Sequence, residues 1–163
     1  MGMTTYYLPL IGNNMDRVNW RAFEKRVNQY FEQFFGRDFI REKEWRVGLE
    51  QVHKFDSVSE DGEIVIECKS YTWVNGEDIP PAKISTLNET LLFLSRVEAE
   101  RKLIVMQDDF RDSDGKSLAE YYVEHYGGLM DDVEVWSYIP KDSVRNDKVN
   151  QVREAGERYY REL

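Results

Sequence analysis

An α/β fold, with helices flanking a mixed central sheet, is predicted by three features of the sequence. Apolar residues recur at helical spacing over residues 20–35, and three successive strand-like segments follow between residues 45 and 69. A second helical stretch then separates these from the continuous apolar run Leu103-Ile104-Val105-Met106, which suits a strand buried on both faces. A helix between the third and fourth strands implies that they run parallel, because antiparallel neighbours need only a turn.

The elements follow in order. Residues 1–16 are mixed, broken by Gly12-Asn13-Asn14, and read as an arm or short edge element. Asn19 is a plausible N-cap for a helix over 20–35, with Gly36 at the position after its end. Trp20, Phe23, Val27, Tyr30, Phe31 and Phe34 form one apolar stripe, and Glu24 falls inside it. Strands are predicted over 45–51, 52–58 and 63–69, the last two joined by a two-residue type I′ turn at Asp61-Gly62. Residues 71–81 are a loop, and Pro81 opens a helix to about residue 100 with Ile84, Leu87, Leu91 and Leu94 at core spacing. A strand over 102–107, an acidic loop and a short helix announced by the capping box Ser117-Leu118-Ala119-Glu120 come next. The last strand spans 133–139, and a mixed-charge helix over about 143–163 carries Val149, Val152 and Tyr159 on one side.

The 163 residues suit a single domain, 1–163, with its core at about 19–139. A hydrophobic fraction of 41% argues against disorder. One cysteine and two histidines exclude a disulfide framework and a Cys/His zinc cluster, and they fit a reducing, cytoplasmic setting. No apolar run approaches membrane-spanning length, so no membrane partner is expected. The net charge of −9 opposes broad phosphate binding, although Arg37, Arg41, Lys43, Arg46 and Lys54 cluster around the first helix end and the first strands.

The stretch HKFDSVSEDGEIVIECK, residues 53–69, carries the chemistry. With Glu60 paired to Glu63 across the turn, Asp56 stands opposite Glu67, and Lys69 shares the face of Glu67 by the two-residue period of a strand. Two facing carboxylates repel unless something compensates them. Together with an ammonium they form a hard-oxygen site suited to Mg²⁺ or Mn²⁺. The ammonium can then orient or deprotonate a water, or neutralise charge on a phosphoryl oxygen.

Asp56 followed by Glu67-Cys68-Lys69 on consecutive strands resembles the D…(D/E)xK signature of the PD-(D/E)xK nuclease superfamily. Phe55 stands where the family has proline. The order of elements over about 19–139 likewise looks like the αβββαβ core of the restriction-endonuclease-like fold, with an extra strand and a C-terminal helix. The resemblance implies a divalent-metal-dependent nuclease hydrolysing phosphodiester bonds, with DNA as the expected partner and Mg²⁺ or Mn²⁺ as cofactor. Asp56, Glu67 and the Cys68 backbone carbonyl would hold the metal, Lys69 would act on the attacking water, and Glu24 would add a ligand or support.

For Glu24 a carboxylate favoured by the helix dipole, or an ion pair with Arg21, Lys54 or Lys69, is the competing role. His53, Lys54, Lys83 and Ser85 are candidate substrate contacts, the last two near a helix N-terminus, where anions are favoured. Packing or surface roles would account for them as well. Two other functions compete with the DNA enzyme: an RNA-directed nuclease, and a catalytically inactive interaction module in a larger complex. Double-strand cutting would favour a homodimer.

Overall fold

The computed structural model describes residues 14–156, with side chains from Trp20 onward. Helix α1 (Asn14–Phe35) precedes strands β1 (Phe39–Arg46), β2 (Val52–Ser59) and β3 (Ile64–Lys69). Helix α2 (Pro81–Leu94), strand β4 (Arg101–Gln107), helix α3 (Leu118–Tyr126), and strands β5 (Val133–Ile139) and β6 (Lys148–Arg153) follow. The six strands form one sheet in chain order. Pairing is parallel between β3 and β4 and between β4 and β5, and antiparallel elsewhere, so the sheet is mixed as predicted.

Helices cover both faces of this sheet. On one face, Phe23, Val27 and Phe31 of α1 pack with Ile64, Ile66, Cys68, Leu103, Val105, Trp136 and Tyr138. On the other, Ile84, Leu87, Leu91 and Leu94 of α2 and Leu118, Tyr122 and Val123 of α3 pack with Val58, Val65, Ile104 and Met106. Strands β3 and β4 are therefore buried on both sides, which is why their apolar runs show no alternation. Phe31 meets Trp136 edge-on at 5.8 Å, and Phe23 meets Tyr138 edge-on at 5.6 Å. Burial of each such ring contributes roughly 2–3 kcal/mol. Gly36, at φ +61°, adopts the left-handed conformation that ends α1. The capping box of α3 is formed: Glu120 N donates to Ser117 Oγ at 3.0 Å, and Ser117 N donates to Glu120 Oε2 at 2.8 Å.

Four expectations are corrected. Helix α1 begins at Asn14, so Asn19 lies within it; residues 1–13, the rest of the expected arm, lie outside the described residues. The first strand is β1 rather than 45–51, where Val47 N closes a turn on Gln51 O at 2.9 Å. Helix α2 ends at Leu94, where Ser95 N bonds Leu91 O, rather than at about residue 100. Over 148–153 the predicted C-terminal helix is strand β6, with Val149 packed toward α1 and Val152 toward the opposite layer. Tyr159 lies outside the described residues.

The hairpin turn also differs from type I′. Gly62 has φ +75°, but Asp61 is not among the residues of positive φ, and Gly62 N donates to Ser59 O at 2.8 Å. Side chains complete the loop: Asp61 Oδ1 accepts from Ser59 Oγ at 2.5 Å and from Glu63 N at 3.1 Å. The register is nevertheless the expected one, with Ser57↔Ile66 and Val58↔Val65 paired. Burial on both faces of β3 sets it, since a slip of one residue would exchange the two faces.

Asp147 fastens β6 to the core. Its side chain is fully buried and accepts from Arg26 Nε and Nη2, both at 2.6 Å, from Lys141 N at 2.6 Å, and from the Tyr138 hydroxyl. Burial pushes its acidity upward, but these donors together outweigh it and hold the carboxyl below its ordinary range. Asp147→Ala strands all of these donors and is expected to lower stability by about 3 kcal/mol, measured by denaturant unfolding. The stabilisation is present above the unfolded-state pKa and is lost as pH falls through the lower folded value, so the variant and the native chain should converge in strong acid.

Candidate active site

Pairing of β2 with β3 ends at Ser57↔Ile66, and Asp56 and Glu67 are the next residues beyond that pair. There Cys68 N donates to Asp56 Oδ2 at 2.7 Å, so a side chain takes up a main-chain donor at the end of the hairpin. Ser57 Oγ bonds Asn28 of α1, and this ties β2 to the helix one turn beyond Glu24. Asp56, Glu67 and Lys69 are thereby brought together. The Glu67 side chain is 3% exposed, and its Oε2 lies 3.8 Å from Lys69 Nζ. Its Oε1 lies 2.5 Å from His53 Nε2.

Burial decides the electrostatics. The Asp56 carboxyl is pushed up to about 8, first by desolvation and then by the charge of Glu67 and a hydrogen bond between the two side chains; Cys68 N and Lys69 oppose the shift. Glu67 is also raised by desolvation, against the pull of that hydrogen bond and of Lys69. The two carboxyls interact directly and are both shifted upward, so they titrate as a unit. Desolvation would lower Lys69, yet Glu67, Tyr71 and Asp56 together raise it, so the ammonium stays charged. His53 is lowered by burial and then by Lys69, which keeps its ring neutral.

Glu24 joins from α1. It shares with Asp56, Lys69, Trp20, Phe23 and Tyr71 a cavity of about 180 Å³. Desolvation and then the charge of Asp56 raise its carboxyl to about 7, partly offset by Arg41, whose Nη2 lies 3.8 Å from Glu24 Oε2. Its ion-pair partner is therefore Arg41 rather than Arg21, Lys54 or Lys69. A neighbouring recess of about 480 Å³, lined by Arg21, Lys25, Arg41 and Glu42, also reaches Glu24.

The other candidates are more scattered. Cys68 packs its thiol into the α1 layer and presents its backbone to Asp56. Lys54 is exposed, opposite Glu44 on the outer strand. Lys83 Nζ lies 4.9 Å from the centre of the Tyr71 ring, which stands 6.0 Å from Lys69 Nζ, so it is one ring removed from the carboxylates. Ser85 Oγ donates at 3.1 Å to Pro81 O in its own helix. Two residues with no role expected from the sequence are at the site: Tyr71, placed in a loop, lines the cavity, and Phe93 stacks on His53 at 4.2 Å. The signal for Tyr71 was its place two residues after Lys69, continuing the period of the strand.

Among the described residues, no three His, Cys, Asp or Glu side chains converge as a group able to hold a metal ion. The cavity presents the Glu24 and Asp56 carboxyls, while Glu67 is held toward His53 and Lys69 and does not line it.

No protein-family model matches the chain, and no curated protein matches it. Among solved structures, Pyrococcus furiosus SfsA in complex with Ca²⁺ is similar, with a TM-score of 0.43 and 22% identity over 86% of this chain and 64% of that one. This chain thus spans less than two thirds of the length of that protein.

Proposed function

We propose that the protein is a divalent-metal-dependent phosphodiesterase that acts on nucleic acid, with DNA as its substrate. The observation that carries this reading is the Asp56 carboxyl beside the buried Glu67 carboxyl, with Lys69 Nζ 3.8 Å from Glu67 Oε2. Asp56, Glu67 and the backbone carbonyl of Cys68 would hold Mg²⁺ or Mn²⁺. When bound, the ion supplies Lewis-acid polarisation of a phosphoryl oxygen and acidifies a water.

The chain's own groups do the rest. Lys69 is held charged, so its role is to orient water and stabilise negative charge developing on the phosphoryl oxygens rather than to take a proton. Glu24, with its acidity shifted to about 7, can hold a proton on the α1 side of the same cavity. Arg21, Lys25 and Arg41 in the adjoining recess give the phosphate backbone a path toward the carboxylates that the overall charge of −9 does not.

Incubation of the purified protein with linear, circular and branched DNA and with RNA, with and without Mn²⁺, tests this directly. Cleavage should require the ion, and Glu67→Gln or Lys69→Ala should reduce it by at least a hundredfold with the melting temperature preserved. Full activity in both variants would remove the assignment, and cleavage of RNA alone would move the substrate. Saturable Mn²⁺ binding lost in Asp56→Ala separates this enzyme from an inactive interaction module of the same fold.

The raised acidity range of Asp56 gives a second measurement. Because Asp56 is raised from 3.8 to about 8, the folded state binds more protons than the unfolded one across that window. Without divalent ions, stability should therefore fall as pH rises from about 4 to 8, by up to about 1.4 kcal/mol per pH unit for one group. Asp56→Asn should flatten this slope in thermal melts. Added Mn²⁺ should offset the loss of stability in the native chain.

A further inference from the structure

Trp20 and Tyr71 line the cavity beside the carboxyls, and the steps above make no use of either. Both are partly buried, so the fold holds the rings while leaving some of their surface open. Trp20 opens the apolar stripe of α1 but belongs to neither apolar layer of the core. Tyr71 packs against the α2 layer, and its hydroxyl is hydrogen-bonded to Thr86 of that helix, which fixes the ring in place. Each ring also has a cation over it: Arg21 Cζ lies 5.0 Å from the centre of the Trp20 ring, and Lys83 Nζ lies 4.9 Å from that of Tyr71.

An aromatic surface beside a cation suits an unpaired nucleotide, which has a π-face to stack and a phosphate to neutralise. A duplex withholds those faces, because its bases are already stacked on one another. Volume points the same way: about 180 Å³ is the liquid share of roughly six waters, the room of one base rather than of a base pair. Glu24 lines both this cavity and the recess that holds Arg21, Lys25 and Arg41, so a nucleotide with its base among the rings has cations close by for its flanking phosphates. We infer that the protein engages its substrate as a single strand, seating one unpaired base against Trp20 and Tyr71. This rests on the nucleic-acid reading above and adds to it the substrate class: a free single strand, or the unpaired end or gap of a longer molecule. It needs no bound ion.

The test is fluorescence anisotropy of the whole chain with a labelled oligodeoxynucleotide, as a single strand and annealed to its complement, in EDTA so that nothing is cut. The native chain should bind the single strand about tenfold or more tightly than the duplex. Trp20→Ala and Tyr71→Ala should each weaken single-strand binding about tenfold while moving duplex binding by less than about twofold, and Trp20→Phe should keep most of the affinity. A merely structural role would weaken both forms alike. Equal affinity of the native chain for the two forms, single-strand binding unmoved in both alanine variants, or a loss shared alike by the duplex overturns this inference alone; ion-dependent cleavage of duplex DNA would still stand. Absence of binding to either form, together with absence of cleavage, overturns the nucleic-acid reading, and this inference falls with it. Photocrosslinking of the native chain to a single strand carrying iodouracil needs no variant to fold. Adducts at Trp20 or Tyr71, located by mass spectrometry, are the expected result, and adducts confined to other residues overturn the proposal.

Discussion

Two carboxylic acids buried against each other at the end of a hairpin are the constraint to which the surrounding structure answers. In a low-dielectric interior the charges of Asp56 and Glu67 cannot both be carried at little cost; Glu24 adds to that cost, and three other neighbours lessen it. Cys68 N donates to Asp56, His53 faces Glu67, and Lys69 stands beside it. Desolvation works against such an arrangement. It persists because β3 and β4 are packed on both faces and hold the strand ends where they are.

The same layering explains why groups from opposite sides of the sheet meet at one place. Helix α1 covers one face and delivers Glu24, fixed to β2 through the bond between Asn28 and Ser57. Helix α2 covers the other and delivers Phe93 to His53 and Lys83 to the Tyr71 ring. The site thus sits where the two layers come together beyond the paired part of β2 and β3. A shift of either helix would be felt at the carboxylates, through Glu24 in one case and through His53 in the other.

Legibility in the sequence followed burial. Residues 64–66 and 103–106 are apolar on both faces, α1 has its stripe, and Ser117 to Glu120 has a local capping pattern; each of these could be read without tertiary information. The convergence of Asp56, Glu67 and Lys69 could be read for the same reason, because register follows from the strands more than from the turn. The type I′ turn was misread because Asp61 works through its side chain, accepting from Ser59 and Glu63, rather than through positive φ. Strands β1 and β6 were hidden because they are the edges of the sheet and each has one neighbour. A charged edge such as Arg41-Glu42-Lys43-Glu44 carries no apolar alternation, and Lys148–Arg153 becomes a strand through Asp147 and the partner β5, neither of which its local composition reveals.

The acidic balance of the chain, which opposes broad binding of a polyanion, is partly a property of the site itself. On the proposed reading, Asp56, Glu67 and Glu24 are counted among the 31 acidic residues, yet burial raises all three carboxyls, so they carry less than their formal charge when no cation is present. With a cation they would neutralise it instead. The charge a phosphate meets on approach is then set by the residues that line its path. In the recess these are Arg21, Lys25 and Arg41 against Glu24 and Glu42, a local excess of cations within a chain of net charge −9. Screening over about 8 Å at physiological salt makes that local excess, and not the total, the quantity that steers a nearby phosphate.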